Sequence, residues 1–423
     1  MELQLPKGVR DFPPEEMILR NKLISTLQKV FERYGFNPSE TPTFERFDVL
    51  GAKYAGGAEI LKETFKFKDQ GDRELALRYD LTVPFARFVG MNPQLKMPFK
   101  RYAIGRVYRD GPIKLGRYRE FYQCDADVVG ASSMLADAEC IRVALAGFKE
   151  LGINVVIAVN NRKLLEALLE KGGVPKAKAI EAMLTLDKLK KVGLAEVKKE
   201  LDQKQIPEDS VDFVVKLSTS EATTEQKLEQ VKSYLGETPG YTEIVELFSY
   251  LDGAENVVFD PALSRGLAYY TSTVFEGFVE GSKITSSVCG GGRYDEMIAN
   301  LLESKQAYPA VGFSFGLEPI MDVLKERAVA EQKTTVKAFV IPIKAAKEAA
   351  VIVERLREAA INAEIDLLGR SISKNLDYAN SYAIPYVLIV GKQELAEGKV
   401  KLKDMKSGEE SLLSVDDAIA RLQ

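Results

Sequence analysis

The chain has 423 residues, 46% of them hydrophobic and 28% charged, which suits a soluble protein of about two or three domains with a sizeable core. Its 58 Lys and Arg against 62 Asp and Glu leave a net charge of -4, so no global positive field exists to capture a polyanion, and nucleic-acid contact must use local basic patches. Histidine is absent altogether, which excludes every Ser-His, Cys-His and His-metal arrangement and leaves Arg, Asp, Glu, Tyr, bound metal and the substrate itself, a set suited to phosphoryl chemistry.

Three scattered cysteines, Cys124, Cys140 and Cys289, are too few for a disulfide framework or a zinc knuckle and fit a reducing cytosol. The first eight residues lack the basic start and apolar stretch of a signal peptide. No apolar run approaches the roughly 18 residues of a membrane span. A cytoplasmic protein with no membrane partner is expected.

Pro13 and Pro14 open an amphipathic helix whose Met17, Leu23, Ile24, Leu27, Val30, Phe31 and Tyr34 recur at helical spacing, and Gly35 closes it. Strands are predicted at 75–79, 102–109 and 119–129, followed by a helix at 135–151. From about 162 to 251 the pattern is helical and charge-rich, with eight lysines between 171 and 199, and reads as a helical insertion. Strand signals resume at 256–259, 273–278, 285–289 and 310–317. Residues 325–335 read as a linker. A small α/β domain follows, with strands at 336–341, 364–368 and 386–390 and helices at 345–360 and 373–381.

Four segments carry chemistry. In REFYQCDADVV, at 119–129, the period of two puts Phe121, Gln123, Asp125 and Asp127 on one strand face, while Tyr122, Cys124, Ala126 and Val128 face the other way. Two carboxylates and an amide beside an aromatic ring suit a polar ligand; a solvated strand face would show the same pattern. In AVGFSFGL, at 310–317, small Ala310, Gly312, Ser314 and Gly316 alternate with bulky Val311, Phe313, Phe315 and Leu317, which makes one face smooth enough for a ligand or for a packed helix. CGGGRYD, at 289–295, reads as a strand joined to a helix through three glycines, where backbone can approach a ligand at a helix start. Arg106, Arg109, Arg117 and Arg119 crowd one strand-loop-strand segment and Arg265 stands further on; guanidinium forks match phosphate oxygens, and a solvated basic hairpin is the alternative. Neither GxxxxGK[ST] nor GxGxxG occurs, so a nucleotide would bind by other means.

Taken together and in this order, the segments resemble the histidyl-tRNA synthetases, a family of class II aminoacyl-tRNA synthetases, over nearly the whole chain. KGVRD at 7–11 resembles the family's opening loop. The stretch from Tyr34 to Glu45 is similar to class II motif 1, whose proline, here Pro42, lies at the family's dimer interface, so a homodimer is implied. LRYDLT at 77–82 is similar to the segment that holds the amino acid's ammonium group, which implies that role for Asp80 and Thr82. Arg109 matches the motif 2 arginine on the α-phosphate, with Arg117 nearby, and Phe121 matches the ring beneath adenine. Gln123 and Asp127 match residues at the substrate's carboxylate and imidazole, and RGLAYY at 265–270 resembles the histidine-specific RGLDYY. That motif's arginine, here Arg265, faces the reacting phosphate; its tyrosines, here Tyr269 and Tyr270, line the imidazole pocket. The glycines at 290–292 and the strand ending at Gly316 resemble the approach to motif 3, which adds Gly316 to the ATP site.

The resemblance implies an α+β fold: a class II antiparallel-sheet catalytic core in two parts, 1–160 and 253–325, a helical insertion domain at 161–252, and a C-terminal α/β anticodon-binding domain at 336–423. It implies a ligase with Arg109, Arg265 and Gln123 as catalytic groups and ATP, histidine and tRNA(His) as substrates. Magnesium is expected with the nucleotide, and no protein metal site is predicted. Two positions depart from the pattern. Pro319 stands where motif 3 has an arginine over adenine, and Ala268 replaces the aspartate of RGLDYY. A non-catalytic paralogue, acting as a regulatory subunit or tRNA-binding sensor, is the alternative that these departures leave open.

Overall fold

In the computed structural model, which describes residues 2–51, 61–113, 116–265, 269–327 and 332–423, the sequence resolves into sixteen strands and their helices. The strands are β1 (Asn37–Pro38), β2 (Phe44–Arg46), β3 (Lys66–Lys68), β4 (Glu74–Leu77), β5 (Phe99–Tyr108), β6 (Glu120–Val129), β7 (Val155–Asn161), β8 (Val257–Phe259), β9 (Thr273–Val279), β10 (Cys289–Arg293), β11 (Ala310–Gly316), β12 (Ala338–Ile343), β13 (Ala363–Ile365), β14 (Tyr386–Gly391), β15 (Lys399–Asp404) and β16 (Glu410–Ser414). The chain divides into two units: Met1–Arg10 with Leu23–Ala328, and Asp11–Lys22 with Val329–Gln423.

The first unit is organised by an eight-stranded sheet in the order β1-β5-β6-β11-β10-β9-β7-β8. Its six central strands pair antiparallel, and the short β1 and β8 add parallel edges. The bulky side of β11 is buried: Phe315 meets Phe148 of the helix Met134–Glu150 edge-on at 5.0 Å, and Phe31 of the helix Pro14–Arg33 lies 6.0 Å from Phe315. Cys124, Ala126 and Val128 of β6 are buried as well. The small-residue side of β11 and the Gln123-Asp125-Asp127 side of β6 face the opposite way, onto a cavity. A separate three-stranded sheet, β2-β4-β3, belongs to the same unit.

The strand predicted at 285–289 is corrected. It starts at Cys289 and runs through the glycines to Arg293, so CGGGR is a central strand hydrogen-bonded to β9 and β11 rather than a strand-to-helix joint. Glycine suits it sterically, since a methyl added at Gly290 would overlap the Arg265 guanidinium and one at Gly291 the carbonyl of Gly312. The helix-start reading of these glycines therefore falls, while the close approach stands. β7 escaped the sequence reading because it runs straight into the first insertion helix.

Residues 162–250 carry seven α-helices, from Arg162–Gly172 to Pro239–Tyr250. Local signals start and stop them. Asn161 caps the first by accepting from the Leu164 N–H, and Gly173 ends it at φ +98°. Thr223 and Gln226 form a reciprocal capping box on the helix Thr224–Leu235. Several of the lysines here are paired within the section: Lys188 and Lys204 flank Glu200 at 2.8 and 2.6 Å.

The second unit contains the sheet β13-β12-β14-β15-β16, parallel among β13, β12 and β14 and antiparallel through β15 and β16. Ala338 and Val340 of β12 pack with the helices Ala346–Glu358 and Val415–Leu422, whereas Phe339 and Ile341 pack with the helix Ile372–Ser381. The strand predicted at 364–368 ends at Ile365, leaving Leu367 and Leu368 exposed. β15 and β16 were not predicted because their polar residues mask the alternation; in β15, Val400 and Leu402 are buried and the lysines at 399, 401 and 403 lie outward.

Candidate active site

β6 is the spine of the site. Successive same-face residues on a strand stand about 6.6–6.8 Å apart, so Phe121, Gln123, Asp125 and Asp127 form a graded row along one wall of a cavity of about 570 Å³. Across from them β11 presents Gly316, Ser314 and Gly312, in register with Gln123, Asp125 and Asp127. Gly312 has no room for a side chain, since a methyl there would strike the Asp127 carboxylate.

All eleven residues named from the sequence line this cavity: Asp80, Thr82, Arg109, Arg117, Phe121, Gln123, Asp127, Arg265, Tyr269, Tyr270 and Gly316. Pro319 lines it too, in the first turn of the helix Leu317–Glu326. Ala268 lies outside the described residues, as does part of the loop between Asp110 and Gly116.

The two ends of the row differ in charge. At the Phe121 end, the Arg109 guanidinium sits 5.1 Å from the centre of the Phe121 ring and 4.3 Å from that of Tyr79, and its Nε donates to the Tyr79 carbonyl at 3.2 Å. Arg117 pairs with Glu63 at 3.3 Å. Arg265 stands level with the middle of the row instead, beside Gly290, which pairs with Ser314 opposite Asp125; it is held by the Phe275 carbonyl at 3.3 Å, lies near Glu276 at 3.8 Å and stands 5.5 Å from the Tyr270 ring centre.

At the other end three carboxylates are buried. Asp80 Oδ1 accepts from the N–H groups of Thr82 and Val83 at 3.1 and 2.9 Å, at the start of the helix Thr82–Met91, and its Oδ2 has no hydrogen-bond partner. Asp127 Oδ1 accepts from the Tyr294 hydroxyl at 2.6 Å. Its Oδ2 lies 2.8 Å from Arg101 Nη2, a charge contact out of line for a hydrogen bond. Asp125 is 2% exposed, and its Oδ1 has no partner. Burial pushes all three carboxyls upward; Asp125 rises to about 7, with Arg101 opposing the rise and Asp127 adding to it.

Sequence reasoning missed Arg101, Tyr294 and Glu318. Arg101 is directly opposite Asp127 on β5, which is legible only once the strand register is known. Tyr294 follows the glycine strand and stacks edge-on 6.2 Å from Tyr269. Glu318 accepts from the Tyr122 N–H at 2.9 Å, tying the Leu317–Glu326 helix to β6. The opening loop also belongs here: Gly8 receives the Arg119 N–H at 2.9 Å, and Arg10 lies over Tyr118.

Comparison with known proteins bears directly on this cavity. Residues 8–320 match the family model described as histidyl-tRNA synthetase, and residues 337–423 match an anticodon binding domain. Histidine--tRNA ligase 1 of Bacillus cereus is 43% identical over 416 residues, covering 97% of both chains. The histidine--tRNA ligase of Phocaeicola vulgatus is 37% identical, covering 98% of both. Among solved structures, a histidyl-tRNA synthetase from a Nostoc species superposes with a TM-score of 0.86 at 29% identity over the full length of both chains. One from Bacillus halodurans, described as an ATP phosphoribosyltransferase regulatory subunit/histidyl-tRNA synthetase, has a TM-score of 0.75 at 21% identity, covers 92% of this chain and 98% of its own, and so speaks for the fold alone. The chain, built on an antiparallel class II core with an anticodon-binding domain after it, belongs to the histidyl-tRNA synthetase family.

Proposed function

We propose that this chain activates histidine with ATP to histidyl-adenylate and transfers the histidyl group to the 3′ end of tRNA(His). The observation that carries the reading is the row along β6, with Arg109 and Arg117 near Phe121 at one end, buried carboxylates and tyrosines at the other, and Gln123 and Arg265 between them. Adenine rests on Phe121 beside Gly316, with Arg117 close by. Arg109 and Arg265 hold the α-phosphate as the histidine carboxylate attacks it in line and pyrophosphate leaves. Fixed charges aimed at a developing anion lower the barrier without reorganising during the reaction. Asp80 and Thr82 take the ammonium end, while Asp127, Tyr269 and Tyr270 surround the imidazole.

Magnesium, expected with the nucleotide, would supply counter-charge to the phosphates. Among the described residues no group of three or more Cys, Asp or Glu is arranged to hold a metal. An ion that keeps its waters and binds phosphate needs only one or two protein carboxylates, and Glu318 in the lining is of that kind. In the second step the terminal ribose hydroxyl attacks the adenylate carbonyl, the acyl–phosphate bond breaks and AMP leaves. With no imidazole in the protein, the adenylate's phosphate oxygen takes the proton and Gln123 positions the reacting groups.

Residues 336–423 bind the anticodon region, 161–252 form a helical insertion domain, and the segment around Pro42 forms the interface of a homodimer. The three buried cysteines form no disulfide, and no described helix is long and apolar enough to cross a membrane, in keeping with a cytoplasmic site of action. A second reading, a non-catalytic regulatory or tRNA-sensing paralogue, is favoured by one feature: Pro319 supplies no cation at the cavity wall. Histidine-dependent ATP–pyrophosphate exchange by the purified chain separates the two. Exchange that requires histidine supports the ligase; tRNA binding without exchange supports the paralogue.

A further inference from the structure

We propose that Asp125 recognises the α-ammonium of the substrate, so that this cation is seated between two buried carboxylates, Asp125 and Asp80. The proposal rests on the cavity being the histidine site and adds to it a specificity-determining residue.

Three observations converge on Asp125. The first is an orphan oxygen. Both oxygens of Asp127 are engaged, Oδ1 by Tyr294 at 2.6 Å and Oδ2 by the charge of Arg101 at 2.8 Å. Asp125, equally buried and on the same cavity wall, has an Oδ1 with no partner, and so does Asp80 at Oδ2. A buried carboxylate oxygen left unpaired loses its hydration without recompense, so two of them at one cavity call for a donor from outside the protein.

The second observation is position. With the reacting carboxyl at Gln123 and the ring at Asp127, the residue one same-face step from each is Asp125. The atoms between a carboxyl and an imidazole in histidine are Cα, with its ammonium, and Cβ. The third is charge. Asp125 is faced by Arg101 from β5, Asp127 on its own strand, Ser314 from β11, Asp80 before the helix Thr82–Met91, and Tyr270, with Arg78 beyond. The negative charge at Asp125 is under-compensated: burial and Asp127 push its carboxyl up to about 7 although Arg101 opposes the rise, while Arg109 acts on Asp80, so that uptake of a proton brings relief. A substrate ammonium supplies the same relief.

Asp125→Asn keeps the shape and removes the charge. In pyrophosphate exchange it raises the KM for histidine by about 10- to 100-fold, the worth of one hydrogen bond to a charged group, while the KM for ATP stays within about twofold of its original value, which also reports an intact fold. Imidazolepropionate, which lacks the ammonium, inhibits wild type and variant equally. An unchanged KM for histidine, or equal weakening of histidine and imidazolepropionate, overturns the proposal. Asp80→Asn, assayed in parallel, separates the two levels of inference. If it weakens histidine and Asp125→Asn does not, only the role of Asp125 falls; if neither does, the assignment of the cavity to histidine falls with it.

Discussion

The two large sheets solve the same problem in opposite ways. In the second unit, the central strand β14 buries Val387, Leu388, Ile389 and Val390 in succession, and apolar clusters cover both faces of the sheet. In the first unit, β6 buries Cys124, Ala126 and Val128 on one face and Asp125 and Asp127 on the other, with Gln123 half-buried beside them. A sheet covered twice by hydrocarbon is a stability element, so its ligand contacts must come from loops and edges, such as the exposed Leu367, Leu368 and Tyr382. A sheet with one buried polar face can hold reacting groups at fixed strand spacing, but its charges must then support one another.

That dependence is sharpest at Asp127. Asp127→Ala takes from the buried Arg101 its nearest counter-charge, 2.8 Å away, and is expected to cost about 3–5 kcal/mol of stability while also weakening histidine in pyrophosphate exchange. Urea denaturation together with the KM for histidine checks both; a variant that loses binding at full stability would show the polar face to be less interdependent than its contacts suggest. The counterpart in the second unit is Leu388→Ala, where a fully buried side chain is truncated. A loss of about 2–5 kcal/mol is expected, with histidine-dependent exchange retained and aminoacylation reduced. Loss of exchange would mean that the apolar sheet also supports the chemistry.

Arg109→Ala tests the charged end of the row. A fall of about 10²- to 10³-fold in the exchange rate is expected, by analogy with the deletion of a preorganised donor, with little change in the melting temperature. The smallest effects are those of pH, and they run in opposite directions in two regions. Burial raises Asp125 from its ordinary 3.8 to about 7. The folded state then holds that proton longer than the unfolded chain, and stability falls as pH rises from about 4 to 7. Glu200, in the insertion helices, is lowered from 4.5 to about 2 by hydrogen bonds from Lys188 and Lys204. Its contribution is present above pH 4.5 and is lost as pH falls toward 2. With about a fifth of its side chain still open to solvent and both partners at the surface, it is worth only about 0.2–1 kcal/mol. Denaturation curves for Asp125→Asn should gain on wild type between pH 4 and 7, whereas Glu200→Gln should lose slightly at pH 7 and match wild type near pH 2.

The period-two alternation at 119–129 and 310–317 was legible because it is local: in a strand the direction of each side chain follows from its position, so the cavity wall and the smooth floor could be read from neighbouring letters. The helical section at 162–250 was legible from its helical, charge-rich pattern, whereas its individual caps, such as Asn161 and Thr223, came only with the structure. The glycine strand β10 was not, because glycine has no side chain to show a period; it is a strand only because β9 and β11 lie on either side. Nor could sequence pair Arg101 with Asp127, or Tyr294 with the same carboxylate 167 residues away, since those contacts depend on which strands meet and in what register. Sequence by itself determined which side chains share a face. Tertiary structure decided which buried carboxylate is already satisfied and which is left for a ligand, because a charge in a low-dielectric interior is governed by its nearest neighbours in space.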